Sequence, residues 1–175
     1  VDEFFHGFID EVKVFDYARS ADQIKQEYNS GTAGTKNRTG SSISFGGESK
    51  KWLSDGLVGH WKMDEASWNG TSDEVIDSSG NENHGVRVGD ANTTNGKYGS
   101  GGTFDGTGDY ISVSPYPSPD AFSISMWIRA TDSTKPDREG IFEWGLSGAG
   151  PYFMPTYFGA TRLVLGSNNY RHWLN

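Results

Sequence analysis

Residues Gly7–Tyr28 constrain this chain more than any other stretch, because they read as a strand that passes directly into a capped helix. Phe8, Asp10, Val12 and Val14 fall on alternate positions and therefore share one face, as a half-buried strand requires. Ser20 stands where a helix begins, and Gln23 lies three residues on, the spacing of a reciprocal capping box. Ile24 and Tyr28, four apart, share one side of that helix, and Asn29-Ser30-Gly31 supplies its stop.

The remaining composition also favours strands. Hydrophobic content is only 34%, but the chain carries 24 glycines, six Trp, eight Tyr and ten Phe. Aromatic side chains can fill a core between short strands while glycines turn the chain, so the expected class is all-β, two packed antiparallel sheets with one short helix. A length of 175 residues suits one substantial domain, or one domain and a fragment of another. With no Cys, disulfides and thiolate metal sites are excluded, and stability falls to packing, bound ions or neighbouring domains. The formal charge of −8 argues against a nucleic-acid partner, which needs a basic face. No apolar run approaches the roughly 20 residues of a membrane span, so no membrane insertion is expected. The chain has no initiator Met or signal peptide and starts in what reads as mid-fold, so a piece of a longer polypeptide is expected.

Along the chain, residues 1–30 hold the strand and helix. Residues 31–55 are dominated by Gly, Ser, Thr and Lys without an apolar period, and read as a flexible linker with a root-mean-square span on the order of 25–30 Å. The texture changes at Gly56: Leu57, Gly59, Trp61 and Met63 alternate with Val58, His60, Lys62 and Asp64, a well-marked strand. Ile141–Leu146 and Arg162–Leu165 read as later strands.

Four blocks carry a family resemblance. Gly7-x-Ile9-Asp10-Glu11-Val12-x-Val14-Phe15, followed by Ala18-x-Ser20-x-x-Gln23-Ile24-x-x-x-Tyr28, resembles the closing strand and helical turn of a laminin-G-like, concanavalin-A-like jelly-roll domain. Gly56–Glu65 with Val75–Val86 resembles the opening of such a domain, and Tyr98–Val113 and Phe122–Ala130 its next two blocks. The resemblance implies a jelly-roll β-sandwich whose closing segment (1–30) precedes the front and centre of a domain (56–175). Two arrangements follow. The chain is cut out of register from a tandem array, or residues 1–30 complete a sandwich with 56–175, of the same chain or of a neighbouring copy. In the second arrangement Phe8, Val12 and Val14 are the inter-module contacts, because a sandwich short of a strand is filled by β-augmentation. The expected setting is a bacterial cell-surface or extracellular fibre, with neighbouring copies or domains as partners and glycans as a further partner class.

Three kinds of chemistry are candidates. Asp77, Asn81 and Asn83 place oxygen ligands at intervals around a glycine turn, a pattern suited to Ca2+, although Asx-rich turns also form without metal. Asp10, an inward carboxylate in need of a partner, and Asp64 on the opening strand are further ligand candidates, in keeping with a structural calcium that the resemblance implies at the sandwich rim. Asp105 and Asp109 are alternatives, with a glycine-supported hairpin as the plainer account. For carbohydrate, Trp127 alternates with Ser123, Ser125 and Arg129 against Phe122, Ile124, Met126 and Ile128, and so falls on the face away from the core. Tyr152 and Tyr157 extend that candidate surface, whereas Trp61 belongs with the core residues Leu57 and Met63. No enzymatic activity is expected: Asp10-Glu11 and Asp64-Glu65 are neighbours whose side chains alternate to opposite faces, and no nucleophile elbow, P-loop or metallohydrolase helix occurs.

Overall fold

A computed structural model describes residues 4–33, 54–114, 121–131, 140–143, 152–157, 160–167 and 170–173. The chain is mostly β, with antiparallel sheets and one short helix. Strand β1 (His6–Phe15) is followed by helix α1 (Ala21–Ala33) and then by β2 (Leu57–Trp61). Short strands β3 (Gly85–Val88), β4 (Asn92–Asn95), β5 (Ser100–Asp105), β6 (Tyr110–Val113) and β7 (Ser123–Ala130) follow. Strands β8 (Phe142–Glu143), β9 (Tyr152–Tyr157), β10 (Ala160–Ser167) and β11 (Tyr170–Trp173) form a separate sheet in the order β11-β10-β9-β8.

The main sheet is assembled on β1. One edge of β1 pairs with β7 along nearly its whole length, while the other pairs with β5 through His6–Ile9 and with β2 through Val12–Phe15. Asp16 N donates to Gly56 O at 2.9 Å, closing β1 onto the start of β2. Of the arrangements open from the sequence, this single chain adopts the one in which residues 1–30 pair with the body of the same chain. β1 is a central strand here, not a closing edge.

The faces of β1 are set by a bulge. Asp10 pairs with Trp127 and Lys13 with Ser125, so Glu11 and Val12 together oppose one residue, and Glu11 sits in the left-handed region at φ 53°. The expected common face of Phe8, Asp10, Val12 and Val14 is therefore split. Val12 and Val14 turn into the core, as does Ile9, while Phe8 and Asp10 turn to the opposite side with Trp127 and Arg129. Arg129 lies over the Phe8 ring at 4.1 Å, on that outer side. In this chain Val12 and Val14 pack into its own core.

That core contains Phe5, Ile9, Val14, Trp61, Met63, Trp68, Val75, Ala91 and Phe104, with Ile111 and Val113 of β6 and Ile124 and Met126 of β7 packed against it. The main sheet thus lays its inner face on the β3–β6 pair, which gives two layers. Trp61 is buried as its alternation requires; Met63 is buried too, but beyond the end of β2 at φ 60°, while Leu57 is only half-buried. Phe15 is also fully buried, but on the outer side beneath α1.

Helix α1 begins as expected. Gln23 N donates to Ser20 Oγ at 3.3 Å and Ser20 N to Gln23 Oε1 at 2.8 Å, the two halves of a capping box. It does not stop at Asn29-Ser30-Gly31 but runs through them to Ala33.

Candidate functional site

α1 lies across the outer face of β1 and β7 and is tied there by polar contacts. Arg19 N donates to Ser123 Oγ at 2.9 Å, and that hydroxyl donates to Tyr17 O at 2.9 Å. Between helix and sheet lies a cavity of about 530 Å3, walled by Glu11, Lys13 and Phe15 of β1, Arg19 and Tyr28 of the helical segment, Tyr98, and Ser125 and Trp127 of β7. Its size falls in the range of small-molecule sites.

Ionisable groups on its walls, with His60 of β2 beside them, form a chain. His60 Nε2 and Glu11 Oε2 are 2.7 Å apart, Lys13 Nζ lies 3.8 Å from Glu11 and 3.2 Å from Glu27, and Arg19 Nη1 is 3.2 Å from Glu27 Oε2. The His60 contact is the main reason the Glu11 carboxyl is held below its ordinary value; burial opposes it, and Lys13 and Lys62 assist. Arg19 stacks its guanidinium on Phe15 at 4.0 Å and leaves only 1% of its side chain exposed. Apart from Glu27, its guanidinium nitrogens have no hydrogen-bond partner among the described residues, nor does the buried Tyr98 hydroxyl.

Trp127 stands on this outer face, as its alternation requires, and is enclosed on several sides. Tyr28 lies 5.8 Å away at 33°, Tyr98 meets it edge-on at 6.0 Å, and Lys97 Nζ sits 4.9 Å from its ring centre. Tyr152 and Tyr157 are the first and last residues of β9, and their side chains lie outside the described residues.

The five expected metal ligands are placed as turn clamps. Asp10 Oδ2 accepts from Lys97 N at 2.7 Å and Tyr98 N at 2.9 Å, and Asp64 Oδ1 from Ser100 N at 2.9 Å, so both hold the turn between β4 and β5. Burial pushes the Asp10 carboxyl above its ordinary value in spite of those two bonds. Asp77 is buried and accepts four bonds: Oδ1 from His60 N and Ser79 N, both at 2.8 Å, and Oδ2 from Ser79 Oγ at 2.8 Å and Asn83 N at 3.0 Å. Asn81 and Asn83 turn their amide nitrogens to β2, each donating at 2.8 Å, to Leu57 O and Val58 O. The loop therefore staples itself to β2 with the groups expected to hold calcium.

Among the described residues an acidic cluster forms elsewhere. Asp90, Asp105 and Asp109 each offer a ligand oxygen within 4.8 Å of the others. Asp109 is buried and accepts from Asp90 N, Ala91 N and Asp105 N at 2.8, 3.0 and 3.0 Å, and its proximity pushes the Asp90 carboxyl upward. Asp90 escaped the sequence reading because only the β3–β6 pairing carries its turn to Asp109. Arg19, Glu27 and Tyr98 escaped it because nothing local to them signals that α1 folds back over β7. The bulge also overturns the reading of Asp10-Glu11 as an opposed pair: Glu11 lines the cavity, and its charge acts on Asp10 from the same side.

No protein-family model, no curated protein and no solved structure matches the chain.

Proposed function

We propose that the chain is a non-catalytic structural or adhesive module, of the laminin-G-like jelly-roll type it resembles, from an extracellular multi-domain surface or fibre protein. The observation that carries this reading is the central place of β1: β2 and β7 have no other strand partner among the described residues. A body whose β1 slot is open pairs with the equivalent strand of a neighbouring module, in tandem or between copies, with the same hydrogen bonds. Because the contacts are the same in either case, effective concentration decides which strand fills the slot. Sedimentation across a wide concentration range tests the exchange between copies. A reversible rise in mass, abolished by deleting residues 1–17, is expected; a single monomeric species throughout leaves only the tandem form.

A second reading, a carbohydrate-binding module with a structural calcium, is favoured by Trp127, which leaves the core and lines the cavity beneath α1. In this reading the cation belongs at Asp90, Asp105 and Asp109, where oxygens converge, since Asp77 is already engaged by four donors. A glycan array with and without chelator tests it, and no binding in either condition removes it.

A further inference from the structure

We infer that the cavity beneath α1 is a site for an acidic saccharide, a sugar ring bearing a carboxylate, with Arg19 as the residue that recognises the carboxylate. The inference rests on the carbohydrate-binding reading and adds the ligand class and the specificity residue.

Arg19 is the starting point. A guanidinium carries five donors in a rigid fork, and buried donors left without acceptors are costly. Here the side chain is 1% exposed, and its one polar partner among the described residues is Glu27 Oε2 at 3.2 Å. A carboxylate presents two parallel oxygens and matches that fork bidentately. Glu27 can yield its place, because its other oxygen already lies 3.2 Å from Lys13. The ligand carboxylate thus takes over Arg19 while Glu27 keeps a cation.

The rest of the cavity suits the rest of a sugar. The Tyr98 hydroxyl, buried and without a partner among the described residues, can both donate and accept, as ring hydroxyls do. Tyr28, packed on Trp127 at 5.8 Å and 57% exposed at the mouth, offers its ring to the C–H face of a sugar. Two cations, Lys13 and Arg19, and two anions, Glu11 and Glu27, line the cavity, and Lys97 stands beside it over Trp127. With the lining charges balanced, the preference for an anionic ligand rests on the unfilled donors of Arg19. A peptide is the poorer match, because it would seek an open strand edge and not a cleft between a helix and the face of a sheet.

Calorimetric titration of the whole chain with a short oligogalacturonate, and with its carboxyl-reduced counterpart, tests the inference. The acidic sugar is expected to bind about tenfold tighter or more, the worth of one charged bidentate contact. Arg19→Lys keeps the charge but loses the fork, and should remove that preference while leaving the reduced sugar unaffected. Trp127→Ala should weaken both sugars. Equal binding of the two sugars by the unaltered chain overturns the role of Arg19 and leaves the carbohydrate reading standing. Binding of neither overturns both, and this comparison needs no variant to fold.

Discussion

Asp77 offers the sharpest separation between a calcium ligand and a structural clamp. Its two oxygens accept four hydrogen bonds, from the backbone of His60, Ser79 and Asn83 and the hydroxyl of Ser79, at 2.8–3.0 Å. That uses all the lone-pair sites of a carboxylate. Asp77→Ala strands three backbone N–H groups, and at about 1–3 kcal/mol for each buried loss, partly relieved by entering water, about 3–4 kcal/mol of stability should disappear. Asp77→Asn keeps one acceptor oxygen but turns an amide nitrogen toward a donor, which should cost about 1.5–3 kcal/mol. Burial alone would push this carboxyl up, yet the bonds from His60, Ser79 and Asn83 outweigh it and hold the group below its ordinary value of 3.8. A lowered folded value means the stabilisation is complete above 3.8 and fades as pH falls through the lower folded value. Urea unfolding of the unaltered chain and both variants, from neutral pH into that acid range, measures the difference. Millimolar calcium and chelator should leave every Asp77 difference unchanged. If calcium stabilises the unaltered chain and the gain vanishes in Asp77→Asn, the clamp reasoning is wrong and Asp77 is a ligand.

Other outcomes follow from the same geometry. Asp10→Asn keeps an acceptor for Lys97 N and Tyr98 N while removing a charge that burial disfavours, so it should be at least as stable as the parent at neutral pH. Because the folded value is raised, the parent's handicap is absent below 3.8 and grows as pH rises, so the two unfolding curves should converge in acid. Ser20→Ala breaks the capping box and should cost about 1 kcal/mol, read by thermal unfolding, with helical signal lost first. Val14→Ala opens a void at a fully buried position and should cost about 2–3 kcal/mol in urea.

Local chemistry was legible in the sequence, and long-range placement was not. Ser20 and Gln23 announce the cap because both partners lie within one helical turn. Trp61 and Trp127 announce their faces because strict alternation has only two outcomes. Glu11 does not announce the bulge: a glycine in the left-handed region leaves a trace, whereas a glutamate held there by its neighbours leaves none. Every assignment on the first half of β1 inherited that error, including the direction of Asp10. The oxygen-rich run at Asp77 was visible too, but whether such oxygens face an ion or backbone N–H groups depends on β2 passing alongside. Arg19 and Tyr98 become neighbours of one cavity only after β1 is seated between β7 and β2.

The bulge also makes a prediction that sequence alone would rank the wrong way. With Glu11 removed, β1 reads Ile9 inward, Asp10 outward, Val12 inward, Lys13 outward and Val14 inward, the alternation its partners on β7 already match. With Val12 removed instead, Glu11 takes the inward place against Met126 and the core receives a carboxylate. Both deletions shorten β1 by one residue between its β5 and β2 partners, so both impose the same offset between those strands. What differs is only the face presented. Glu11 deletion should therefore leave a cooperatively unfolding β protein that has lost the His60–Glu11 and Lys13–Glu11 contacts. Val12 deletion should leave a chain without a cooperative transition. Circular dichroism melts and dye binding to exposed apolar surface distinguish the two. Equal damage from both deletions would mean that the left-handed Glu11 is not an insertion into an otherwise regular strand, and the assignment of the outer face would have to be redrawn.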